Sequence, residues 1–260
     1  MYEVRSGTAP ACPPTRGGPT LTGGARQFHA DHVRRRRADL SWERDLWGKG
    51  IQVVAGVDEV GRGPLAGPVA AGAVIFPPGV RIAGQFKFLK RVNDSKQLAA
   101  CVREELAMLI HEHAAAAAVA FVSVEMIDRI GIAEASRQAW LGAIGELGVT
   151  PDHLLLDAFP LHACNIPQTP IIGGDSSSVS IAAASIIAKV ARDRLMQQEA
   201  ERFPDYGFGH NKGYFTAEHA DAIRKFGPCD LHRRSFSPVK EILLGEQLDL
   251  WPAEPAAVAP

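Results

Sequence analysis

Apolar positions along this chain fall into two rhythms. Residues 51–57 (IQVVAGV) and 69–76 (VAAGAVIF) are short, nearly unbroken apolar runs bounded by Gly and Pro, the pattern of strands. Over 96–113 the rhythm changes. Leu98, Val102, Leu106, Leu109 and Ile110 recur every three or four residues, which predicts an amphipathic helix. A third strand follows over 117–124, then a helix over 132–147 ended by Gly148. The run HLLLD at 153–157 reads as a short buried strand, and 169–172 as another. Ser180 stands where it can cap a long helix over 181–203. A Gly-rich loop over 206–214 precedes a helix capped by Thr216 and stopped at Gly227-Pro228. Residues 41–44 begin a short helical lead-in. An early hairpin followed by alternating helices and strands predicts an α/β fold with a mixed sheet.

The flanks lack this rhythm. Residues 1–38 are dominated by Pro, Gly, Thr and Ala and include four consecutive arginines at 34–37. Such a segment buries too little apolar surface to offset its ordering entropy. The expected division is a disordered extension over 1–38, a globular domain over 39–245 and a C-terminal tail over 246–260. A basic arm contacting phosphates is the other reading of the arginine run.

Composition narrows the class. The chain is 46% hydrophobic and 22% charged, ordinary for a soluble domain. No apolar run approaches the roughly 20 residues of a membrane helix, and the N-terminus carries no signal-peptide pattern. Cys12, Cys101, Cys164 and Cys229 are scattered without CxxC spacing. Reduced thiols, a cytoplasmic location and no thiolate zinc site are therefore expected. Residues 1–50 hold nine Lys or Arg against five Asp or Glu; the remainder holds 19 against 24. Any nucleic-acid contact must then come from local basic patches.

Three acidic segments carry candidate chemistry. Asp58 and Glu59 close the first apolar run and are followed by Gly61-Arg62-Gly63-Pro64. Glycines let backbone N–H groups approach a ligand, and Arg62 can fork onto a phosphate. Asp157 ends the Leu154–Leu156 run, where burial demands a partner or a cation. Asp175 follows Gly173-Gly174 just before the long helix. Taken singly, each has a plainer role as a solvated strand end or turn acid. Taken together, oxygen ligands without His or Cys select Mn²⁺ or Mg²⁺ over Zn²⁺. His210, His219 and His232 lack ligand spacing and are expected at the surface or as caps, with phosphate contact as the alternative for His232. Lys189, Arg192 and Arg194 are expected on a solvated helix face, paired with Asp193 and Glu199. Tyr206 and Phe208 are expected as core or loop anchors. Ala182–Ala184 implies close helix–sheet packing.

The segment GVDEVGRGPLAGP over 56–68 resembles the signature of ribonuclease HII, the type 2 ribonuclease H family. Similar stretches follow in the same order: Asn93-Asp94-Ser95-Lys96, LLLDAF, SIAAASIIAKVARDRLM over 180–196, YGFGHNKGYFT over 206–216 and HRRSFSPV over 232–239. The resemblance covers about residues 42–240. It implies a ribonuclease H-like fold, a mixed five-stranded sheet flanked by helices, with a helical C-terminal part. It implies active-site, metal-holding acids at Asp58, Glu59, Asp157 and Asp175. It implies that Gly61, Arg62 and Gly63 read a ribose 2′-hydroxyl, that Tyr214 packs on the next sugar, and that Ser95 and Lys96 grip phosphates. Lys212, Arg233 and Arg234 are expected in the surrounding positive surface. The implied enzyme is a monomeric endonuclease acting on RNA–DNA hybrids and on ribonucleotides embedded in duplex DNA. Its implied role is removing misincorporated ribonucleotides and RNA primers. The chain departs from the family pattern at Gly173, at Ala158-Phe159 and at Asn211. Alternatives are a non-catalytic nucleic-acid-binding module on the same fold, or another two-metal nuclease such as a junction resolvase. The four acids argue against the first, and the ribose-reading elements against the second.

Overall fold

The computed structural model describes residues 37–245. The expected extension and C-terminal tail lie outside the described residues, apart from Arg37 and Ala38. Ala38 is buried in the core and Asp39 forms a β-bridge with Ser178. The chain divides into two compact units. Among the described residues, one comprises residues 37–62 together with Pro68–Leu195; the other comprises Gly63–Gly67 and residues 196–245.

In the first unit, α1 (Ser41–Gly48) leads into β1 (Val54–Val60), which pairs antiparallel with β2 (Val69–Ile75). Helix α2 (Ala100–His113) connects to β3 (Ala116–Val122), which pairs antiparallel with β2. Helices α3 (Val124–Ile130) and α4 (Ile132–Gly145) lead to β4 (His153–Asp157) and β5 (Gln168–Ile171). Strand β4 runs parallel to β1, and β5 parallel to β4. The order β3-β2-β1-β4-β5 is the expected mixed five-stranded sheet. Helix α5 (Val179–Arg202) continues from this unit into the second.

Sequence explains the layering. Strand β2 is buried throughout because helices cover both of its faces, so it shows no polar alternation. Helix α5 starts apolar on all sides, with Val179, Ile181 to Ala184 and Ile186 to Ala188 buried, as a helix packed across a sheet must be. Its approach is close. A Cβ at Gly56 would collide with the backbone of Ser180 and Ile181, and one at Gly72 with the carbonyl of Ala184. The small-residue run is thus the contact surface. Helix α4 packs across β2 and β3, with Gly142 admitting Ala120. Phe76, Phe88, Leu89, Leu106 and Ile110 build one core cluster with Ile186 and Ile187. Each large apolar side chain there contributes roughly 1.5–3 kcal/mol.

Boundaries differ from expectation in instructive places. Strand β1 runs through Asp58 and Glu59 to Val60, so the acids lie within the strand, opposite Gly72 and Ala71. Ser95–Gln97 form a 3-10 turn, and two extended residues, Leu98 and Ala99, follow before α2 begins at Ala100. Helix α5 starts at Val179 rather than after a Ser180 cap. The Ser178 hydroxyl accepts from Ile181 N (3.3 Å), and buried Glu43 of α1 accepts from Ser178 Oγ (2.7 Å) and Ser180 N (2.9 Å). Helix α3 is capped by Ser123 and stopped by Gly131, whose φ is +80°. Cys101 and Cys229 are free thiols, as expected, whereas Cys164 is disulfide-bonded.

The second unit holds a short helical turn α6 (Phe208–Asn211), α7 (Ala217–Phe226) and α8 (Val239–Leu244). These pack around Leu65, Met196, Tyr206, Phe208, Ile223 and Val239. This is the helical C-terminal part. Among the described residues no helix is long and apolar enough to cross a membrane.

Candidate active site

Strand β1 sends its two adjacent acids to opposite faces of the sheet, as strand alternation requires. Asp58 shares the face of Gly56, under α5, and is buried. The Ser185 hydroxyl of α5 favours the charged form of Asp58, whose Oδ1 accepts from the N–H of Glu59 (2.8 Å). Glu59 turns toward α4. Its Oε2 accepts from Trp140 Nε1 (2.8 Å) and its Oε1 from Arg62 Nη1 (3.0 Å). Asp157 ends β4, beside β1, and its Oδ1 accepts from Gly174 N (2.7 Å). Asp175 lies in a 3-10 turn before α5, with Lys96 Nζ 3.8 Å from its Oδ2. Parallel pairing of β1 with β4, and the turn leading into α5, therefore gather acids from three chain segments.

Their electrostatics record the crowding. Burial, followed by the charges of Asp157 and Glu59, pushes the Asp58 carboxyl well above the usual range. Asp157 is pushed up to about 6, first by burial and then by Asp175 and Glu59; the Gly174 N–H and Lys96 oppose this. Asp175 is also raised, by burial and by Asp94, with Lys96 opposing. Burial pulls Lys96 down, but the carboxylates of Asp175, Asp94, Asp58 and Asp157 outweigh it and leave the ammonium above its usual value. Such clustering of raised carboxyls is the pattern by which a candidate site differs from a solvated strand edge.

As the side chains stand, no three His, Cys, Asp or Glu among the described residues converge closely enough to ligate one ion. Glu59 is held by Trp140 and Arg62, Asp157 accepts from Gly174 N, and Asp175 faces Lys96. The donor set nevertheless fits a hard divalent cation: all are oxygens, destabilised by their own repulsion, with a lysine ammonium as their counter-charge.

Of the expected phosphate ligands, Lys96 projects into solvent, whereas Ser95 is fully buried with its Oγ 2.9 Å from Ser185 Oγ. Ser95 therefore supports the serine that contacts Asp58, and its hydroxyl does not face solvent. Gly61 has φ +88°, and a Cβ there would strike the side chain of Arg192. Arg192 is fully buried and donates from Nε to the Pro68 carbonyl (2.8 Å). This corrects its expected place on a solvated face. A distant carbonyl satisfies the guanidinium, which no sequence spacing reveals. Lys189 does pair with Asp193 (2.7 Å), but Glu199 pairs with Arg202.

The second unit carries the other expected recognition elements. Tyr214 is partly exposed, and its backbone is held at both ends: its N–H donates to Asn211 O (2.9 Å) and its carbonyl faces His219 Nδ1 (2.9 Å). Gly213 O accepts from Leu65 N (2.8 Å), tying this loop to the segment that begins at Gly63. A side chain at Gly213 would collide with Ala66. Asn211 closes the loop by bonding Tyr206 O (2.7 Å) and Gly213 N (2.8 Å). Tyr206 and Phe208 are stacked core residues, as expected. His219 and His232 are buried rather than at the surface. Arg233 is buried too, giving two hydrogen bonds to Gly67 O, so it is not part of a positive surface.

The ribonuclease HII family model matches residues 55–239. The chain is 52% identical to ribonuclease HII of Moorella thermoacetica over 196 residues, covering 75% of this chain and 92% of that protein. The chain belongs to the ribonuclease HII family. A second relative, ribonuclease HII of Chlamydia caviae, is 49% identical, with 78% of this chain and 92% of that protein covered. Among solved structures, ribonuclease H2 from Pyrococcus horikoshii is similar with a TM-score of 0.61 and 24% identity, over 73% of this chain and 96% of that one; it shows the shared ribonuclease H-like fold. Ribonuclease HII of Archaeoglobus fulgidus, solved in complex with PCNA, gives 0.59 and 26%, over 71% and 95%. Membership makes the chain a metal-dependent hydrolase with ribonuclease H activity on RNA–DNA. Trp140 and Ser185, which touch Glu59 and Asp58, were not legible as site residues. Both partners lie on helices remote in sequence, and only the folded sheet brings them to the acids.

Proposed function

We propose that this ribonuclease HII relative cuts on the 5′ side of a ribonucleotide in RNA–DNA hybrids or embedded in duplex DNA, leaving 3′-hydroxyl and 5′-phosphate ends. The observation that carries the reading is the cluster of Asp58, Asp157 and Asp175 beside Lys96, with carboxyls raised by burial and mutual repulsion. These acids, with Glu59, would hold Mn²⁺ or Mg²⁺; a structure similar in fold, a ribonuclease HIII with 22% identity, was solved in complex with Mn²⁺. When bound, a pair of such ions supplies Lewis acidity to the attacking water and to the leaving oxygen. The chain's own residues do the rest. Lys96 provides a phosphate contact near the acids. The backbone at Gly61, Arg62 and Gly63 hydrogen-bonds the 2′-hydroxyl, which only RNA offers. Tyr214 packs on the sugar of the following nucleotide and favours a deoxyribose there. Binding energy is thereby used for alignment, so an all-DNA duplex binds through its backbone and reacts poorly. Such an enzyme removes misincorporated ribonucleotides and RNA primers and works as a cytoplasmic monomer. Comparing Tyr214→Ala with the unaltered protein on a single-ribonucleotide duplex and on a long hybrid tests the reading. The ratio of junction cleavage to hybrid cleavage falls. An unchanged ratio contradicts the role of Tyr214.

A further inference from the structure

Two buried imidazoles and one backbone carbonyl form a hydrogen-bonded chain in the second unit. His219 Nδ1 lies 2.9 Å from Tyr214 O, and His219 Nε2 lies 3.0 Å from His232 Nε2. The N–H of Cys229 points at His232 Nδ1 (2.9 Å). A neutral imidazole has one donor and one acceptor nitrogen. The nitrogen facing the Tyr214 carbonyl must donate, so His219 carries its proton on Nδ1 and accepts at Nε2. His232 must then donate from Nε2 and accept at Nδ1, where a backbone N–H awaits it. The reverse direction fails, because it would set a lone pair of His219 against the Tyr214 oxygen. By the same assignment the Cys229 carbonyl, 3.3 Å from His232 Nδ1, is a contact and not a hydrogen bond.

We infer that His219 and His232 are positioning residues for Tyr214, a fixed-tautomer relay that anchors its carbonyl and so sets where its ring meets the substrate sugar. The inference rests on the proposed role of Tyr214. Several observations support an anchoring rather than a filling role. Both imidazoles are buried, and among the described residues their side-chain-to-backbone endpoints are Tyr214 O and Cys229. Tyr214 N–H is held independently by Asn211 O, so the relay fixes the opposite side of the same residue. Phe208 stacks edge-on against His219, and Tyr206 edge-on against His232, which restrains both rings. Burial keeps both imidazoles uncharged at neutral pH: His219 is lowered, and His232 is lowered to about 4 with a further contribution from His219. The Cys229 thiol, 3.2 Å from His232 Nδ1, is itself pushed up to about 11 by burial and does not ionise to disturb the chain.

The test has two parts. The first needs no substitution: imidazole ¹⁵N spectra of the full chain at pH 7.5 report each tautomer. The inference requires Nδ1–H at His219 and Nε2–H at His232, and the opposite tautomer at either residue overturns it. The second uses His219→Phe, which keeps the ring packing but removes the donor, and His219→Asn, whose amide can donate from the place of Nδ1. His219→Phe is expected to lower the ratio of junction to long-hybrid cleavage by about tenfold, the order of one lost positioning hydrogen bond. His219→Asn restores most of it, and Tyr214→Ala combined with His219→Phe is no worse than Tyr214→Ala alone. If Tyr214→Ala shifts the ratio while His219→Phe does not, the relay is refuted and the role of Tyr214 stands. If Tyr214→Ala leaves the ratio unchanged, the reading of Tyr214 fails, and the relay's functional meaning fails with it.

Discussion

Asp157 offers the cleanest residue-scale test, because Asn retains the oxygen that accepts from Gly174 N while removing the charge. Asp157→Asn is expected to lower cleavage by orders of magnitude. Thermal melting should show it at least as stable as the parent without metal at pH 7.5, with a smaller gain on adding Mn²⁺. Near-normal activity would contradict the assignment. The pH dependence follows from the same shift. The carboxyl titrates at about 6 in the fold against 3.8 when free. Folding therefore binds a proton more tightly, and this contribution is fully present below pH 3.8 and lost as pH rises through 6. Ionised Asp157 thus costs the metal-free fold roughly 3 kcal/mol above that window. Cations need the ionised acids, so Mn²⁺ affinity measured by calorimetry should fall steadily from pH 8 to 5.5. Unperturbed carboxylates would leave it nearly flat over that range. Asp58, Glu59 and Asp157 were legible in the sequence because they interrupt or end apolar strands, whereas Asp175, in a turn after two glycines, stood out only through the family resemblance. Arg192, Arg233, His219 and His232 were not legible, since their burial depends on carbonyls and rings brought in from distant segments.

At the scale of elements, the site depends on how closely α5 lies on the sheet. Gly72 faces the Ala184 carbonyl, so Gly72→Ala should lower stability by roughly 1–3 kcal/mol in denaturant titrations, through overpacking. Gly48, in α1, has open space around it, and Gly48→Ala should be neutral or stabilising by up to about 1 kcal/mol. Equal effects at the two positions would refute the close-packing account. Strands β1, β2 and β4 could be read from the sequence because burial on both faces leaves nearly unbroken apolar runs. The exit of β1 could not, because Asp58 and Glu59 look like a turn until Gly72 and Ala71 are set opposite them. Helix α3, seven residues long, is too short to show a helical period. The α5 cap was misplaced because Glu43, over 130 residues earlier, satisfies its first turn.

For the whole molecule, the two units carry different parts of the proposed recognition: the acids and Lys96 in one, Tyr214 in the other. Substrate binding through phosphates should weaken as salt rises, and Lys96→Gln should lower the slope of log affinity against log salt by about one unit or less. A salt-independent affinity would contradict phosphate recognition. The most direct measurement uses a DNA duplex with one embedded ribonucleotide beside an all-DNA duplex of the same sequence, each with and without Mn²⁺, with cut positions and end groups mapped on a gel. The account predicts a single metal-dependent cut 5′ of the ribonucleotide, leaving 3′-hydroxyl and 5′-phosphate ends, and an intact all-DNA duplex. Equal cutting of both duplexes, or cutting without metal, would contradict it.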